Sequence, residues 1–235
     1  MEEYSEVKDL KPKKRSALRL KAGRTYYTLR RYLSWYTRKD FAEEKSQRQL
    51  EYSYFSHKTP LLRRLKDVDM KYQYNKIVNL GIAAPKVDGI LLKPGETFSY
   101  WRLIGKPSYK KGYKDGLILD SGGFSAGVGG GLCQLSNLIY WMTLHTPLTV
   151  VERFRHTFDV FPDSNRTQPF GSGATCVYPY RDLMIRNDTN SQFQLRVWIT
   201  KEHLCGQWLC SQEPLYSYRV IERNHAMKSQ WWGAY

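Results

Sequence analysis

The chain has 235 residues, of which 41% are hydrophobic and 14% aromatic, and its formal net charge is +15. This composition excludes wholesale disorder, and no apolar run reaches the roughly 20 residues that span a bilayer. The first ten residues are acidic and polar, so we expect no signal peptide. Four cysteines fit a cytoplasmic protein with free thiols better than a secreted disulfide scaffold.

A basic segment opens the chain, with twelve Lys/Arg and one Asp in residues 8–39. Ser16 is a predicted N-cap, and the apolar residues after it recur at spacings of three and four, which predicts a helix. Either this stripe packs against the protein's own core, or residues 8–39 contact an anionic membrane. No zinc finger or RNA-binding motif supports nucleic acid as a partner. The stripe consists of Leu18, Ala22, Tyr26, Leu29, Leu33 and Tyr36.

The remaining elements are predicted in chain order as helices first and strands later. Residues 40–60 are a polar connection, and a second helix covers 67–88, with Pro85 at its end. A Gly-, Lys- and Tyr-rich stretch at 105–131 leads to a helix that starts at Cys133. This order predicts an α+β fold with a largely antiparallel sheet, divided into a basic arm at 1–66 and a domain at 67–235. Strands are predicted at 89–92, 149–154, 174–178, 182–186, 192–200 and 216–222, with a hairpin turn at 187–190.

The glycine run before the helix at Cys133 is the most informative motif. Gly129, Gly130 and Gly131 permit positive φ and the close approach of another group. The helix start offers backbone N–H groups and the positive end of the helix dipole, which lower the pKa of a thiol and bind an anion or oxyanion. Cys133 is therefore a candidate nucleophile, and Gln134 is a candidate oxyanion donor.

A nucleophilic cysteine needs a base, and His156 follows at the end of a predicted strand. Asp159 or Asp182 is the carboxylate that would orient its ring, and the sequence does not choose between them. The alternative is that Cys133 is simply a small buried apolar residue.

A second group of soft ligands, His203, Cys205 and Cys210, lacks the matching pair that a zinc site needs. We therefore expect no metal there, and core packing beside Trp208 instead.

Several motifs resemble the VanW family, in unbroken order over about residues 75–203. They are KPGETFS at 93–99, GYKDG at 112–116, GGGLCQLSN at 129–137, LHTPLTVVER at 144–153, His156, Ala174-Thr175, Asp182-Leu183 and RNDT at 186–189.

The resemblance implies a glycopeptide-resistance or cell-envelope setting without an established activity, and it draws attention to Cys133, Gln134, Glu152 and His156. Two departures are Gly173, where the family often has Asp, and Thr157, where it commonly has Ser.

Two functions follow. In a binding or accessory module, the three glycines with Ser136, Asn137 and Glu152 would contact a cell-wall precursor or an envelope-pathway protein, and the basic arm would attract anionic groups. In an enzyme, Cys133 and His156 would form a hydrolase or acyl transferase for peptide-like envelope substrates. The binding module is favoured. We expect no cofactor, and a cytoplasmic location or one peripheral to the inner face of the membrane.

Overall fold

The computed structural model describes residues 16–63, 69–120, 123–154, 172–221 and 223. Helices and mostly antiparallel strands alternate along the chain, which confirms the predicted α+β class. The boundary predicted at residue 66 stays a prediction. The helices are α1 (Ala17–Thr37), α2 (Met70–Val87), α3 (Tyr100–Ile104) and α4 (Cys133–Thr143), and a 3-10 turn covers Tyr109–Lys111. The strands are β1 (Tyr52–Pro60), β2 (Leu91–Leu92), β3 (Thr97–Ser99), β4 (Asp115–Asp120), β5 (Gly123–Val128), β6 (Thr149–Glu152), β7 (Met184–Arg186), β8 (Phe193–Ile199) and β9 (His203–Cys210).

The largest sheet has the order β1-β9-β8-β2, with every neighbouring pair antiparallel. Trp208 of β9 is fully buried, and its Nε1 donates to Thr143 Oγ1 of α4 at 3.1 Å. Cys210 lies on the same face of β9 and belongs to the same core, which confirms the predicted packing beside Trp208 for this cysteine. Cys205 lies on the opposite face of the strand, across from Trp198. The prediction of a polar connection over 40–60 was wrong for residues 52–60, which form β1. β1 is an edge strand with no fully buried side chain, so its sequence lacks the apolar run that marks a central strand.

A second sheet has the order β3-β7-β6. The turn at 187–190 joins β7 to β8, which lie in different sheets, so the predicted hairpin was wrong. Asn187 builds this turn, because its Nδ2 donates to Leu92 O at 2.8 Å and its Oδ1 accepts from Thr189 N at 3.0 Å. The predicted strand at 174–178 is also absent from the described chain, where only Val177 forms an isolated bridge, and residues 216–221 form no strand.

Strands β4 and β5 form a separate antiparallel hairpin that the sequence did not predict. Its glycines hid the alternation of a strand, since glycine has no side chain to mark a face. Gly116 and Gly127 face each other across the hairpin, and a Cβ on Gly116 would lie 2.4 Å from Gly130 O. The hairpin therefore brings the backbone of β4 into direct contact with the glycine run.

Helices α1 and α2 have polar N-caps. Ser16 Oγ accepts from Arg19 N at 3.3 Å, as predicted, and Asp69 Oδ1 accepts from Lys71 N at 2.8 Å. Pro85 lies inside α2, which continues to Val87. Helix α1 has no buried residue, so the alternative in which its apolar stripe packs against the core was wrong. Within the described ranges, no helix combines the length and the apolarity needed to cross a membrane.

Candidate functional site

The glycine run forms a tight turn between β5 and α4, and its glycines are needed for different reasons. Gly129 and Gly131 adopt φ of 77° and 87°, a region that favours glycine. A Cβ on Gly130 would lie 2.1 Å from the carbonyl carbon of Gly116, so this position requires close backbone approach. Both predicted uses of glycine are confirmed.

The backbone amides of this turn donate hydrogen bonds to backbone carbonyls. The N–H groups of Gly129, Gly130 and Gly131 donate to Lys114 O, Gly127 O and Leu117 O, each at 3.0 Å. The carbonyl of Gly130 accepts from Asn79 Nδ2 at 2.9 Å. Asn79 also bonds both backbone groups of Lys114, at 2.8 and 2.9 Å. The three glycine amides therefore fix the shape of the turn, and the predicted binding role of these glycines stays a prediction.

Helix α4 begins at Cys133, as predicted. Leu132 is its N-cap, and the carbonyl of Leu132 accepts a hydrogen bond from the buried Tyr100 hydroxyl at 2.8 Å. The amides of Gln134 and Leu135 close short turns onto Gly131 O and Leu132 O at 3.1 and 3.0 Å. The helix start thus offers fewer open N–H groups than the sequence predicted.

The Cys133 thiol is largely buried, although the residue keeps partial solvent exposure. Burial raises the pKa of this thiol, while hydrogen bonds from the Cys176 and Cys133 backbones lower it by less. The predicted lowering of the Cys133 pKa was therefore wrong, because the loss of solvation outweighs the helix start.

Ser136 and Asn137 bind the segment that carries Cys176. Ser136 Oγ lies 2.7 Å from Ala174 O and 3.1 Å from Cys133 O, and Asn137 Oδ1 accepts from Ala174 N at 2.7 Å. Both residues therefore hold this segment in place, and their predicted role in ligand binding stays a prediction. Cys176, which sequence analysis did not single out, comes to lie beside Cys133, and burial raises the pKa of its thiol as well.

The buried Asp182 lies in a polar network with the partly buried side chains of Glu152 and of Arg31 from α1. The Glu152 carboxylate pairs with Arg31 and accepts from Asp182 N at 3.0 Å. The Asp182 carboxyl accepts from Ser99 Oγ at 2.6 Å and from the amides of Trp101 and Leu183 at 2.9 Å. Burial raises the pKa of Asp182 to about 7, although the Ser99 and Trp101 hydrogen bonds and Arg31 act in the opposite direction.

Gln134 is directed toward the large sheet. Its Nε2 lies 2.9 Å from both Thr59 Oγ1 and Pro60 O of β1. The amide group proposed as an oxyanion donor therefore fastens α4 to the edge strand.

Residues 75–209 match the family described as VanW like protein, which is more than half of the chain. The chain belongs to the VanW family. It is 38% identical over 180 residues to the Vancomycin B-type resistance protein VanW of Enterococcus faecalis, a match that covers 77% of this chain and 66% of that protein, just under two thirds of its length. It is 32% identical over 118 residues to the uncharacterized protein YoaR of Bacillus subtilis, covering 50% of this chain and 37% of that protein. No solved structure matches.

The matched VanW region contains the predicted catalytic residues, but the structure describes only some of them. His156 and Asp159 lie outside the described residues. The pairing of Cys133 with His156 therefore stays a prediction. Asp182 is described, and its carboxyl accepts hydrogen bonds from Ser99, Trp101 and Leu183.

Lys76 of α2 is a residue of the VanW region that the sequence analysis missed. Its side chain covers the glycine turn, since a Cβ on Gly131 would lie 2.3 Å from Lys76 Cγ. Its Nζ donates to Gln73 Oε1 at 2.8 Å, and burial lowers its pKa to about 8. No sequence spacing links α2 to the glycine run, so only the fold could reveal this contact.

Among the described residues, no group of three or more His, Cys, Asp or Glu side chains is placed to hold a metal ion.

Proposed function

We propose that this VanW-family chain is an accessory protein of glycopeptide resistance that binds a cell-wall precursor where the glycine turn meets α4. The setting is supported by the 38% identity to the Enterococcus faecalis protein. The observation that carries the binding role is the fixed geometry of the turn: Asn79 and the β4–β5 hairpin hold it by hydrogen bonds of 2.8–3.0 Å. Affinity is gained when a site pays little ordering entropy on binding.

The described contacts favour binding over nucleophilic catalysis. A nucleophilic cysteine needs a thiolate near neutral pH, whereas burial raises the pKa of Cys133. The Gln134 amide that would stabilise an oxyanion is bonded to Thr59 and Pro60 instead. The Asp182 carboxyl, one of two candidates to orient a histidine, already accepts three hydrogen bonds.

Lys76 indicates which part of the precursor binds. An ammonium group that burial has partly stripped of water gains most from a nearby anion, because the anion replaces the lost solvation. Cell-wall precursors carry carboxylates and, when activated, a pyrophosphate. We infer that one of these anionic groups approaches Lys76 at the edge of the turn beside Gly131.

The direct test is calorimetric titration of the purified chain with a soluble precursor, UDP-N-acetylmuramyl-pentapeptide. We expect Lys76→Met to weaken binding by about tenfold, the usual loss for one charge-assisted hydrogen bond. Lys71→Met is the matched control, because Lys71 is exposed on the same helix, and its affinity should stay within about twofold of wild type. Equal affinities for the wild type and Lys76→Met, or no binding by the wild type, would contradict the proposal.

A resistance assay separates binding from catalysis. In a strain that depends on this chain for vancomycin resistance, we expect Cys133→Ala to keep resistance, since binding needs no thiolate. If Cys133→Ala folds and binds the precursor but loses resistance, the chain is instead an enzyme with Cys133 as its nucleophile.

A further inference from the structure

Helix α1 turns its apolar stripe to solvent. Leu18, Leu29 and Leu33 are 78%, 63% and 63% exposed, and Tyr36 is 88% exposed. At ~100° per residue, these positions, together with Ala22 and Tyr26, fall within an arc of about 80° on the helix surface. A continuous apolar strip of this kind, about five helical turns long, is unusual on a protein surface that contacts only water.

The opposite face of α1 holds the helix to the body. Trp35 Nε1 donates to Ser99 Oγ at 3.2 Å, and Arg102 donates to Trp35 O at 2.9 Å. Arg31 pairs with Glu152, and the hydroxyls of Tyr32 and Tyr178 lie 3.1 Å apart. Because these contacts fix the rotation of α1, the stripe cannot turn inward without breaking them.

Basic residues flank the stripe. Helix α1 contains five Lys and Arg residues and no acidic residue. Arg19 and Arg30 project beside one edge of the stripe, Lys21 lies beyond the other, and Arg38 and Lys39 follow the helix end. Apolar side chains along one face, with tyrosines among them and basic residues at the borders, are the pattern of helices that lie at a lipid surface.

We propose that α1 is an interfacial helix that lays the stripe of Leu18, Ala22, Tyr26, Leu29, Leu33 and Tyr36 on an anionic lipid surface. Charge complementarity selects this occupant. The apolar side chains enter the boundary between headgroups and acyl chains, while the flanking Arg and Lys side chains reach the anionic headgroups. A second copy of the chain fits poorly, because pairing two α1 helices would bring together two basic borders on proteins that each carry a net charge of +15.

Membrane docking through α1 also fixes how the rest of the chain is presented. Arg31 and Trp35 connect the docked helix to Glu152 and Ser99, and both of these residues bond Asp182. Side-chain hydrogen bonds therefore link the helix to the polar network around Asp182. The lipid-binding inference does not depend on the proposed precursor binding, and either one stands if the other fails.

The test is flotation of the full chain with vesicles of phosphatidylcholine alone, or of phosphatidylcholine mixed with phosphatidylglycerol. We expect the chain to float with the mixed vesicles and about tenfold less with neutral ones, and high salt should reduce the binding. The double variant Leu29→Ser and Leu33→Ser should bind at least about fivefold more weakly, since it removes the centre of the stripe. The double variant Arg19→Gln and Arg30→Gln should lose the preference for anionic lipid.

The matched control is the double variant Tyr74→Ser and Val78→Ser, which removes two side chains that are 57% and 38% exposed on α2. It should float like the wild type. Circular dichroism and thermal unfolding should show that each variant folds, because all of the replaced side chains lie at the surface. Equal binding to neutral and anionic vesicles, no binding by the wild type, or undiminished binding by the leucine variant would overturn the proposal. A wild-type dimer that the leucine variant dissociates, without vesicle binding, would identify a second copy as the occupant instead.

Discussion

Replacing Asp182 with Asn should change how the stability of the protein depends on pH. Burial raises the pKa of Asp182 from its ordinary value of 3.8 to about 7 in the folded protein. Because the folded-state pKa is above the unfolded-state value, the folded protein keeps a proton that the unfolded chain releases. The resulting stabilisation is fully present below the unfolded pKa, and it is lost as the pH rises through the folded pKa.

The magnitude follows from that window. A proton that only the folded state holds changes the free energy of unfolding by ~1.4 kcal/mol per pH unit. With a folded-state pKa of about 7, the free energy of unfolding of the wild type should fall by about 2.5 kcal/mol between pH 5 and pH 8. The Asn variant has no titrating group at this position and should not show this fall.

The Asn side chain has its own cost at every pH. Its oxygen can still accept from the Trp101 and Leu183 amides, but its NH₂ group meets Ser99 Oγ. Ser99 Oγ already accepts from Trp35 Nε1 and Arg102 N, so its proton would lose its acceptor. An unsatisfied buried donor costs about 1–3 kcal/mol. At pH 5 the wild type has already lost about 1.7 kcal/mol of the stabilisation from the Asp182 proton, because pH 5 lies above the unfolded pKa. We therefore expect Asp182→Asn to be close to wild type in stability at pH 5 and about 1–3 kcal/mol more stable than wild type at pH 8.

Urea unfolding at pH 5 and pH 8 measures this difference for both proteins. Subtracting the variant from the wild type cancels groups that titrate equally in the two. Asp188→Asn is the control, because Asp188 is exposed and hydrogen bonds with Thr149 and Arg186 lower its pKa, so any effect must have the opposite sign. If the free-energy difference between wild type and Asp182→Asn is the same at both pH values, the assignment of a raised pKa to Asp182 is wrong.

Three further predictions concern the turn and the thiol. Gly131→Ala should lower the free energy of unfolding, measured in urea, by about 1–3 kcal/mol, because Gly131 has a φ of 87° and lies against Lys76. The control is Gly23→Ala on α1, where an added Cβ meets nothing within 4 Å. It should be neutral or slightly stabilising. Lys76→Met should stabilise the protein by about 2 kcal/mol at pH 7, since a pKa lowered to about 8 means that the folded state disfavours the charged form of Lys76. The free energy of unfolding of the wild type should therefore rise between pH 8 and pH 10. The variant should show no such rise. Iodoacetamide should label Cys133 more slowly than free cysteine at pH 7, and the labelling rate, followed by mass spectrometry, should still rise above pH 9. A labelling rate that reaches a plateau near pH 7 would instead support Cys133 as a nucleophile.

The sequence predicted the elements whose signals are local. Ser16 before a spaced apolar series marked α1, and the glycine run placed the start of α4 at Cys133. The family motifs marked the region that the VanW match covers. In each case a few adjacent residues determine the backbone conformation, so a single sequence is sufficient.

Elements that depend on distant partners were missed. Strand β1 has no apolar run, because it lies at a sheet edge and is defined by its pairing with β9. The contact between Lys76 and Gly131, and the clamp of Ser136 on Ala174, join segments that are far apart in the chain. No spacing rule reports such contacts, since they depend on how complete elements pack.

The pKa of Cys133 failed as a prediction for a related reason. A helix start is a local feature and favours the thiolate, but the burial that opposes it comes from Tyr100, Cys176 and the segment held by Ser136. The same packing fits the proposed binding role, because it fixes the backbone geometry and raises the pKa of the Cys133 thiol. A role in binding therefore requires the turn to keep its shape more than it requires the thiol to react. On that basis, substitutions at Gly131 should impair function before a substitution at Cys133 does.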